Sequence, residues 1–379
     1  MISRRQTLVA TFAGTLPFGS SSLWAQSDNL VLGQSAPLTG PAAQLGIQFR
    51  DGAKLYFDQV NAKGGNNGRT IELRTLDDGY EPEKTAENTK KFLSEGVFAL
   101  FGYIGTPTSV AALPLATAAK TPFFAPFTGA QVLREPFNRY AFHVRASYFD
   151  ETAAIVKQAG AVGIKKFSVF YQNDAYGKAG LEGVDRALKS LNLPMTSTGT
   201  VERNSVDVKK AVADILAKQP ETIVQISAYK SCAAFIREAR KAGFGGTFYN
   251  VSFVGTQALL TELDKDARGV VVSQVMPFPY SPNTPIAAEF LEAYKLVATK
   301  NKELSVNYSS MEGFVAAKVF AEGLRRAGRN ATRESFITAV ETIQNYQMGG
   351  FAVNFSTTQH TASKFVDLTV LTDDGRVRR

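Results

Sequence analysis

Short apolar runs alternate with amphipathic stretches along most of this chain. Residues 30–35 and 97–101 form apolar runs of strand length, whereas residues 46–61 repeat apolar side chains at helical spacing. The alternation restarts near residue 149 and continues to residue 274. Strands and helices that alternate at this spacing predict parallel sheets joined by right-handed crossovers. Two such runs predict an α/β fold with two doubly wound parallel-sheet lobes.

The remaining elements follow from the same periodicity. Further strands are predicted at residues 71–76, 121–125, 167–171, 197–201, 222–226, 247–250 and 270–274. Further helices are predicted at residues 83–94, 110–119, 149–160, 177–190, 208–218, 232–242, 285–299, 307–327 and 333–342. The chain ends in extended segments at residues 351–355 and 364–372.

The first 25 residues have the layout of an export signal. A basic start with Arg4 and Arg5 precedes a weakly apolar segment at residues 8–18, and Ala25 is a small residue suited to cleavage. The Ser-Arg-Arg-x-x-Leu start resembles a twin-arginine signal. We therefore expect residues 1–25 to be a signal peptide and the mature protein to be periplasmic.

Composition narrows the classes of function. The chain has 379 residues, of which 44% are hydrophobic and 20% charged, as in a globular protein of two domains. The net charge of +8 suits either an anionic solute or ordinary solubility. No run of Lys and Arg is long enough for a nucleic-acid patch, so no nucleic-acid partner is expected. Cys232 is the single cysteine, which excludes an intrachain disulfide, and it is predicted to be a buried thiol.

The residues that catalysis usually needs are scarce. His143 and His360 are the two histidines and lie in different halves of the chain, too few and too far apart for a metal cluster. The chain has no dinucleotide fingerprint, phosphate-binding loop or nucleophile elbow. The pair Asp77-Asp78 favours a turn, with a carboxylate calcium site as the alternative. We expect no enzyme activity, no cofactor and no metal; an exported α/β hydrolase is the disfavoured alternative.

The best candidate binding site follows the strand predicted at residues 97–101. Ligands of open α/β sheets bind at the carboxyl ends of strands, beside helix N-termini. Here Thr106 is predicted to cap a helix, and the backbone N–H groups of Thr108 and Ser109 would then form a seat for a carboxylate. The alternative is that Thr106 only caps its own helix.

Four other predicted loops stand at the carboxyl ends of strands. They are residues 125–129, 171–177, 227–229 and 250–253. Their aromatic and small polar residues are typical of a ligand cleft between two lobes.

Several short motifs, in this order, resemble the type I periplasmic binding proteins of the leucine/isoleucine/valine-binding class. They are Ser35-Ala36-Pro37-Leu38-Thr39-Gly40, Gly52-Ala53, Val60-Asn61-Ala62-Lys63-Gly64-Gly65, Asp77-Asp78 before Pro82, Tyr176-Gly177 and Arg240-Lys241-Ala242-Gly243. The resemblance runs from about residue 30 to the C-terminus. It implies a monomeric, periplasmic solute-binding component of an ABC importer, with a permease in the inner membrane as protein partner. A ligand-sensing receptor of the same fold is the alternative.

The resemblance also implies how the chain is divided. Lobe 1 would comprise residues 29–145 and 276–349, and lobe 2 residues 146–275 and 350–379. Three hinge crossovers would join the lobes near residues 144–147, 274–277 and 348–352, and the lobes would close around the ligand.

The family's ligand contacts fall on a defined set of positions. The set, completed by neighbouring aromatic residues, is Tyr103, Thr106, Phe127, Thr128, Gly129, Tyr176, Tyr229, Ser252 and Phe253. Ser252 stands where the family has the acidic residue that holds the ligand ammonium, and Glu312 is the alternative for that role. Because a buried ammonium needs a charge or several acceptors, Ser252 weakens the expectation of an amino acid, and a carboxylate ligand without an α-amine becomes an equal alternative. Both remain open, as a small amino acid or another carboxylate-bearing solute.

Overall fold

Two separate sheets organise the chain in the computed structural model, which describes residues 29–299 and 304–379. The first sheet is parallel throughout and has the strand order β2-β1-β3-β4-β5. Its strands are β1 Asn29–Ala36, β2 Thr70–Asp77, β3 Ala99–Phe101, β4 Phe123–Phe124 and β5 Ala141–Phe142. The order reverses between β1 and β3, and this switch point places a crevice at their carboxyl ends.

The second sheet repeats this topology and extends it. Its strands are β6 Phe167–Gln172, β7 Met195–Val201, β8 Thr222–Ile226, β9 Thr247–Asn250, β10 Val271–Gln274, β13 Asp367–Leu371 and β14 Val377–Arg378. The spatial order is β14-β13-β10-β9-β8-β6-β7, and β13 joins antiparallel to β10. A separate hairpin of β11 Tyr346–Gln347 and β12 Ala352–Val353 belongs to neither sheet.

Helices cover both sheets, as the predicted α/β class requires. Those of lobe 1 are α1 Ala43–Ala62, α2 Pro82–Ser94, α3 Thr106–Ala118, α9 Pro285–Val297, α10 Tyr308–Ala327 and α11 Arg333–Glu341. Those of lobe 2 are α4 Tyr148–Ala161, α5 Ala175–Ser190, α6 Lys209–Leu216, α7 Tyr229–Lys241 and α8 Thr256–Leu263. Several start at side-chain caps that satisfy the free N–H groups of the first turn, such as Ser147 for α4, Asp174 for α5 and Asn307 for α10.

Phenylalanine rings fill the core of lobe 1. The ring of Phe320 on α10 lies 5.7 Å from Phe101 and 5.2 Å from Phe124, and all three side chains are buried. Each such side chain contributes about 1.5–3 kcal/mol of burial free energy. Helix α10 also approaches α1 closely, because a Cβ on Gly313 would stand 2.0 Å from the Phe49 carbonyl oxygen. The N-terminal turns of α10 are thereby fixed against lobe 1.

Three segments cross between the lobes. The first runs from β5 to α4, the second from β10 to α9, and the third from the β11–β12 hairpin to β13. The first and third lie side by side, because the His143 N–H donates to the His360 carbonyl (2.8 Å) and the Ala362 N–H to the His143 carbonyl (2.8 Å).

The third crossover differs from the prediction that lobe 2 resumes at residue 350. Strand β12 turns back onto β11, and the Phe355 N–H donates to the Ile343 carbonyl just after α11, so this hairpin stays with lobe 1. The crossing comes about ten residues later, at 361–366. The two-residue strands β5, β11 and β14 were not predicted, because they are too short to give a clear period, and neither was the helix α8.

No helix in residues 29–299 and 304–379 is both long and apolar enough to span a membrane. The predicted signal peptide at residues 1–25 lies outside the described residues.

Candidate functional site

Aromatic rings from both lobes meet between the two sheets. In lobe 1, Tyr80 follows β2 and Phe127 follows β4. In lobe 2, Tyr176 opens α5 after β6 and Phe253 follows β9. The ring of Phe253 lies 5.5 Å from Phe127, 5.9 Å from Tyr80 and 4.6 Å from Tyr176. All four side chains are buried, so the lobes are closed on each other around this ring cluster.

A group of buried hydroxyls adjoins the rings. The Oγ1 atoms of Thr106 and Thr128 are 2.6 Å apart, and Thr128 Oγ1 lies 3.3 Å from the Tyr148 hydroxyl. The Oγ of Ser109 is buried and has no hydrogen-bond partner within the part of the chain described. These groups can supply donors and acceptors to a polar ligand atom.

The start of α3 differs from the predicted cap. Gly105 is the N-cap and has a φ of 95°, a conformation that favours glycine, and Thr106 is the first helical residue. A Cβ at Gly105 would lie 2.3 Å from the Tyr80 ring. The Ser109 N–H donates to the Gly105 carbonyl (3.2 Å). The prediction of a free backbone N–H at Ser109 was therefore wrong, and Thr106 faces Thr128 through its side chain instead.

Three further predicted residues lie at the same junction. The Gly129 carbonyl accepts from the Tyr148 N–H (2.8 Å), and a Cβ on Gly129 would stand 2.6 Å from that nitrogen, so the backbone is packed too closely for a side chain. The Tyr229 hydroxyl accepts from the Gln44 N–H across the lobes (3.5 Å). Ser252 lies just after β9, and its contacts are given below.

The Tyr103 side chain lies away from the other predicted residues, although its carbonyl accepts from the Phe127 N–H (2.7 Å). Its ring packs 5.0 Å from Phe123 in a separate cluster, and its hydroxyl is 3.1 Å from Thr89 Oγ1 on α2. The preceding Gly102 has a φ of 62°, which changes the direction of the chain after β3. The prediction that Tyr103 forms a wall of the cleft is therefore wrong.

The strongest charges at the site come from Arg145 and Glu151, which the sequence-based site did not include, and from Glu312, which was named only as an alternative. Arg145, on the first crossover, is completely buried, and its guanidinium lies 4.9 Å from the ring centre of Phe127. Its Nη2 donates to the Ser252 hydroxyl and lies 3.3 Å from the Glu151 carboxylate. Its Nη1 lies 3.6 Å from the carboxylate of Glu312, on α10. Glu312 therefore does reach the junction between the lobes.

The two carboxylates beside Arg145 have different surroundings. Glu151 accepts from the Ser252 N–H (2.7 Å), the Ser252 hydroxyl (3.0 Å) and the Ser273 hydroxyl (2.6 Å), as well as from Arg145. Among the residues that the structure describes, none donates a hydrogen bond of this kind to Glu312. Burial raises the pKa of Glu312 to about 7, although Arg145 opposes the shift. Burial also opposes the charge of Arg145, but Glu312 and Glu151 outweigh it and its pKa is raised.

Polar contacts tie the lobes together at the rim. Arg203 in lobe 2 places its Nη2 3.1 Å from Glu81 in lobe 1, and its Nη1 3.6 Å from Asp174. The neighbouring Asn204 side chain donates to the Gly79 carbonyl (3.1 Å) and to Glu81 (2.8 Å). These contacts stabilise the closed arrangement.

The carboxylates of Asp77 and Asp78 accept hydrogen bonds from other groups of the protein. Asp77 accepts from the N–H groups of Leu38 (2.7 Å) and Gly79 (3.0 Å). Asp78 accepts from the Tyr80 N–H (2.9 Å) and from two hydroxyls. This arrangement fits the turn interpretation of the pair.

Comparisons with known proteins agree with this geometry. A family model described as a periplasmic binding protein matches residues 30–376. Leu/Ile/Val-binding protein homolog 7 of Brucella suis is 24% identical over 341 residues, which are 84% of this chain and 81% of that protein.

Two crystal structures are also similar. One, from Rhodopirellula baltica, is described as a possible leucine/isoleucine/valine-binding protein; it has a TM-score of 0.86 and 34% identity, covering 92% of this chain and 95% of that one. A substrate-binding periplasmic protein from Ralstonia solanacearum has a TM-score of 0.86 and 32% identity, covering 92% and 99%.

Proposed function

The chain belongs to the periplasmic binding protein family, and from that premise we propose that it is the solute-binding component of an ABC importer. It is a binding protein and not an enzyme, of the type I class with two lobes. Its solute is a small amino acid or another organic molecule that carries a carboxylate. The partner that receives the solute is a permease in the inner membrane.

The observation that carries this proposal is the junction of both lobes at the carboxyl ends of their strands. Aromatic rings, buried hydroxyls and a buried guanidinium converge there from loops and helices of both lobes. A mostly apolar site with a few convergent polar groups is the usual construction of a small-molecule site. We include Thr106, Phe127, Thr128, Gly129, Tyr176, Tyr229, Ser252 and Phe253 among its ligand-contacting residues.

The family works in the periplasm or outside the cell. For this chain we propose export to the periplasm through a signal peptide at residues 1–25, whose paired arginines suit the twin-arginine route. The mature protein is proposed to act as a monomer.

Native mass spectrometry of the purified protein, followed by a thermal-shift screen of amino acids and organic acids, tests the function. A solute at a hundred times its Kd stabilises the folded state by about 2.7 kcal/mol, which raises the Tm by several degrees. We expect a bound molecule in the spectrum or such a rise with at least one compound. A folded protein that carries no solute and responds to none of the library would contradict the proposal.

The variant Thr106→Ala checks the location of the site. Loss of one hydroxyl contact to the solute is expected to weaken binding by roughly three- to tenfold in calorimetry, while the protein stays folded. Thr117→Ala, near the far end of α3, is the matched control, and its affinity should equal that of the wild type. Equal affinities for both variants would remove Thr106 from the site.

A further inference from the structure

The buried guanidinium of Arg145 occupies a position between the lobes where the charge of a ligand must be accommodated. It contacts Phe127 of lobe 1 and Ser252 of lobe 2, and its side chain is 0% exposed. Ser252 is also where the resemblance to leucine-class binders places the acid that holds a ligand ammonium. In this protein a cation of the chain itself stands against that position.

Arg145 keeps unused hydrogen-bonding capacity. Its Nε and Nη1 have no hydrogen-bond partner among residues 29–299 and 304–379. The Glu151 carboxylate faces Nη2 and is already shared with the Ser252 and Ser273 donors. A guanidinium has five donors in a planar fork suited to carboxylates, and unpaired buried donors are unfavourable. An acceptor supplied from outside the chain would satisfy them.

The Glu312 carboxylate lies 3.6 Å from Nη1, which is too long for a hydrogen bond. This carboxylate stands beside Nη1, one of the two donors that a ligand carboxylate would use. Two carboxylates at one buried position repel each other unless one is protonated. Glu312 is therefore positioned to compete with an anionic ligand for Arg145.

A ligand ammonium meets the opposite difficulty. Placed beside Ser252, it would face the Arg145 guanidinium in a buried site, where like charges interact unfavourably because water does not screen them. The surrounding rings of Tyr80, Phe127 and Phe253 provide an apolar environment that suits the body of a hydrocarbon acid.

We propose that Arg145 binds the carboxylate of the solute, and that the solute is an organic acid with an apolar or aromatic body and no ammonium group. This inference rests on the proposed function and selects between the two solute classes left open there. Arg145 supplies the cation that the ligand itself supplies in amino-acid binders.

Matched probes with and without the α-amine test the solute class. The pairs are 3-phenylpropionate against phenylalanine and 4-methylpentanoate against leucine, measured by calorimetry on the mature protein after unfolding and refolding to remove bound solute. At least one acid should bind more tightly than its amino acid by about tenfold or more, a difference of roughly 1.4 kcal/mol. Tighter binding of the amino acids would overturn the inference.

The variant Glu312→Gln distinguishes the two roles of Glu312 by the sign of its effect. If Glu312 competes with the ligand, removing its charge tightens binding of the acid, by roughly threefold or more. If it instead holds an ammonium, the variant loses about tenfold in affinity for the amino acid, because a buried charge partner is gone. Glu322→Gln, farther along α10 and paired with Arg325 and Arg326, is the control and should leave affinity unchanged.

Arg145→Lys tests the guanidinium while keeping a charge beside Glu151, so that the buried carboxylate stays paired. The acid is expected to bind about tenfold more weakly, because a lysine lacks the planar fork. Should Arg145→Lys fail to fold, the result with Glu312→Gln decides. Binding of none of the four probes would refute this solute class, whereas the proposed function would be refuted only if mass spectrometry and the full library also revealed no solute.

Discussion

Glu312 is buried, and its carboxylate lies 3.6 Å from its charged partner Arg145, beyond hydrogen-bonding distance. Burial, together with the nearby Glu151, favours its neutral form, whereas Arg145 and Arg134 favour the ionised form, and the net effect raises its pKa from 4.5 to about 7. Between these two values, the folded protein binds more protons at this site than the unfolded chain does. Stability contributed by Glu312 therefore falls as pH rises from 4.5 to about 7, and it stays lower above that interval.

Glu312→Gln should remove this dependence. The free energy of unfolding of the wild type is expected to lose on the order of 3 kcal/mol from this group across the interval, following about 1.4 kcal/mol per pKa unit. Denaturant unfolding of both proteins between about pH 5 and pH 8 measures it, and the wild-type curve should fall more steeply with pH than that of the variant. Parallel curves would show that Glu312 does not titrate differently in the folded state.

The two histidines respond to pH differently from Glu312. His143 and His360 come from distant parts of the chain, but they lie together where the first and third crossovers pair. Burial lowers the pKa of His143 well below its usual range and that of His360 to about 4. Both are neutral near pH 7, so the crossovers carry no imidazolium there.

At the scale of elements, the rim contacts link two loops that belong to different lobes. The pair of Arg203 and Glu81 is partly exposed, with side-chain exposures of 23% and 38%, so its contribution is screened by solvent. Asn204 adds two hydrogen bonds to the same loop of lobe 1. Because these contacts exist only when the lobes are together, they favour the closed form over an open one.

Arg203→Ala should weaken solute binding by roughly two- to fivefold, corresponding to about 0.5–1 kcal/mol for a partly exposed pair. The loss should appear mainly as faster dissociation, because the contact forms after the solute has entered. Stopped-flow dissociation of the solute, at low and at high salt, is the measurement. Lys210→Ala, which breaks an exposed pair with Asp214 inside lobe 2, is the control. Identical dissociation rates for the two variants would show that the rim pair does not stabilise closure.

The loops of the site were predictable because they follow from strand order alone. Apolar runs locate the strands, and the carboxyl ends of the strands in a parallel sheet share one edge, so the loops around Thr128 and Phe253 could each be placed at the edge of its own sheet. That these two edges face each other followed from the resemblance to two-lobed binding proteins. Tyr103 was misplaced because a single glycine, Gly102, changes the direction of the chain after β3.

Arg145 and Glu312 could not be assigned in the same way. Charged residues are seldom fully buried, so no pattern of hydrophobicity marks them as part of an interior site. Arg145 stands in a crossover, and Glu312 is brought to it by the close packing of Gly313 against α1. The contact between them depends on packing between segments more than 160 residues apart in the sequence. The local periodicity of hydrophobic residues carries no information about such a contact.

At the scale of the whole molecule, Arg134 links the first and third crossovers between the lobes. This buried side chain donates to the carbonyl groups of Arg145 (3.2 Å) and Ala146 (3.3 Å) on the first crossover, and to the Thr361 hydroxyl (3.2 Å) on the third. It also donates to the Thr128 carbonyl (3.4 Å) beside the candidate site. Burial lowers its pKa to about 10, which still leaves it charged near pH 7. One residue thus ties two crossovers to a loop that contacts the solute in the proposed site.

Arg134→Met should therefore affect stability and binding together. It leaves several buried carbonyls and a hydroxyl without their donor, at about 1–3 kcal/mol for each group that water cannot reach, and we expect the Tm to fall by roughly 5 °C or more. Binding should weaken as well, by about threefold or more, because the crossovers no longer hold the loop at Thr128 in place. Calorimetry of unfolding and of solute binding measures both effects. Arg268→Met, at a side chain that is 82% exposed in lobe 2, is the control and should change neither. If Arg134→Met lowers the Tm but binds the solute with wild-type affinity, the hinge and the site are not coupled through this residue.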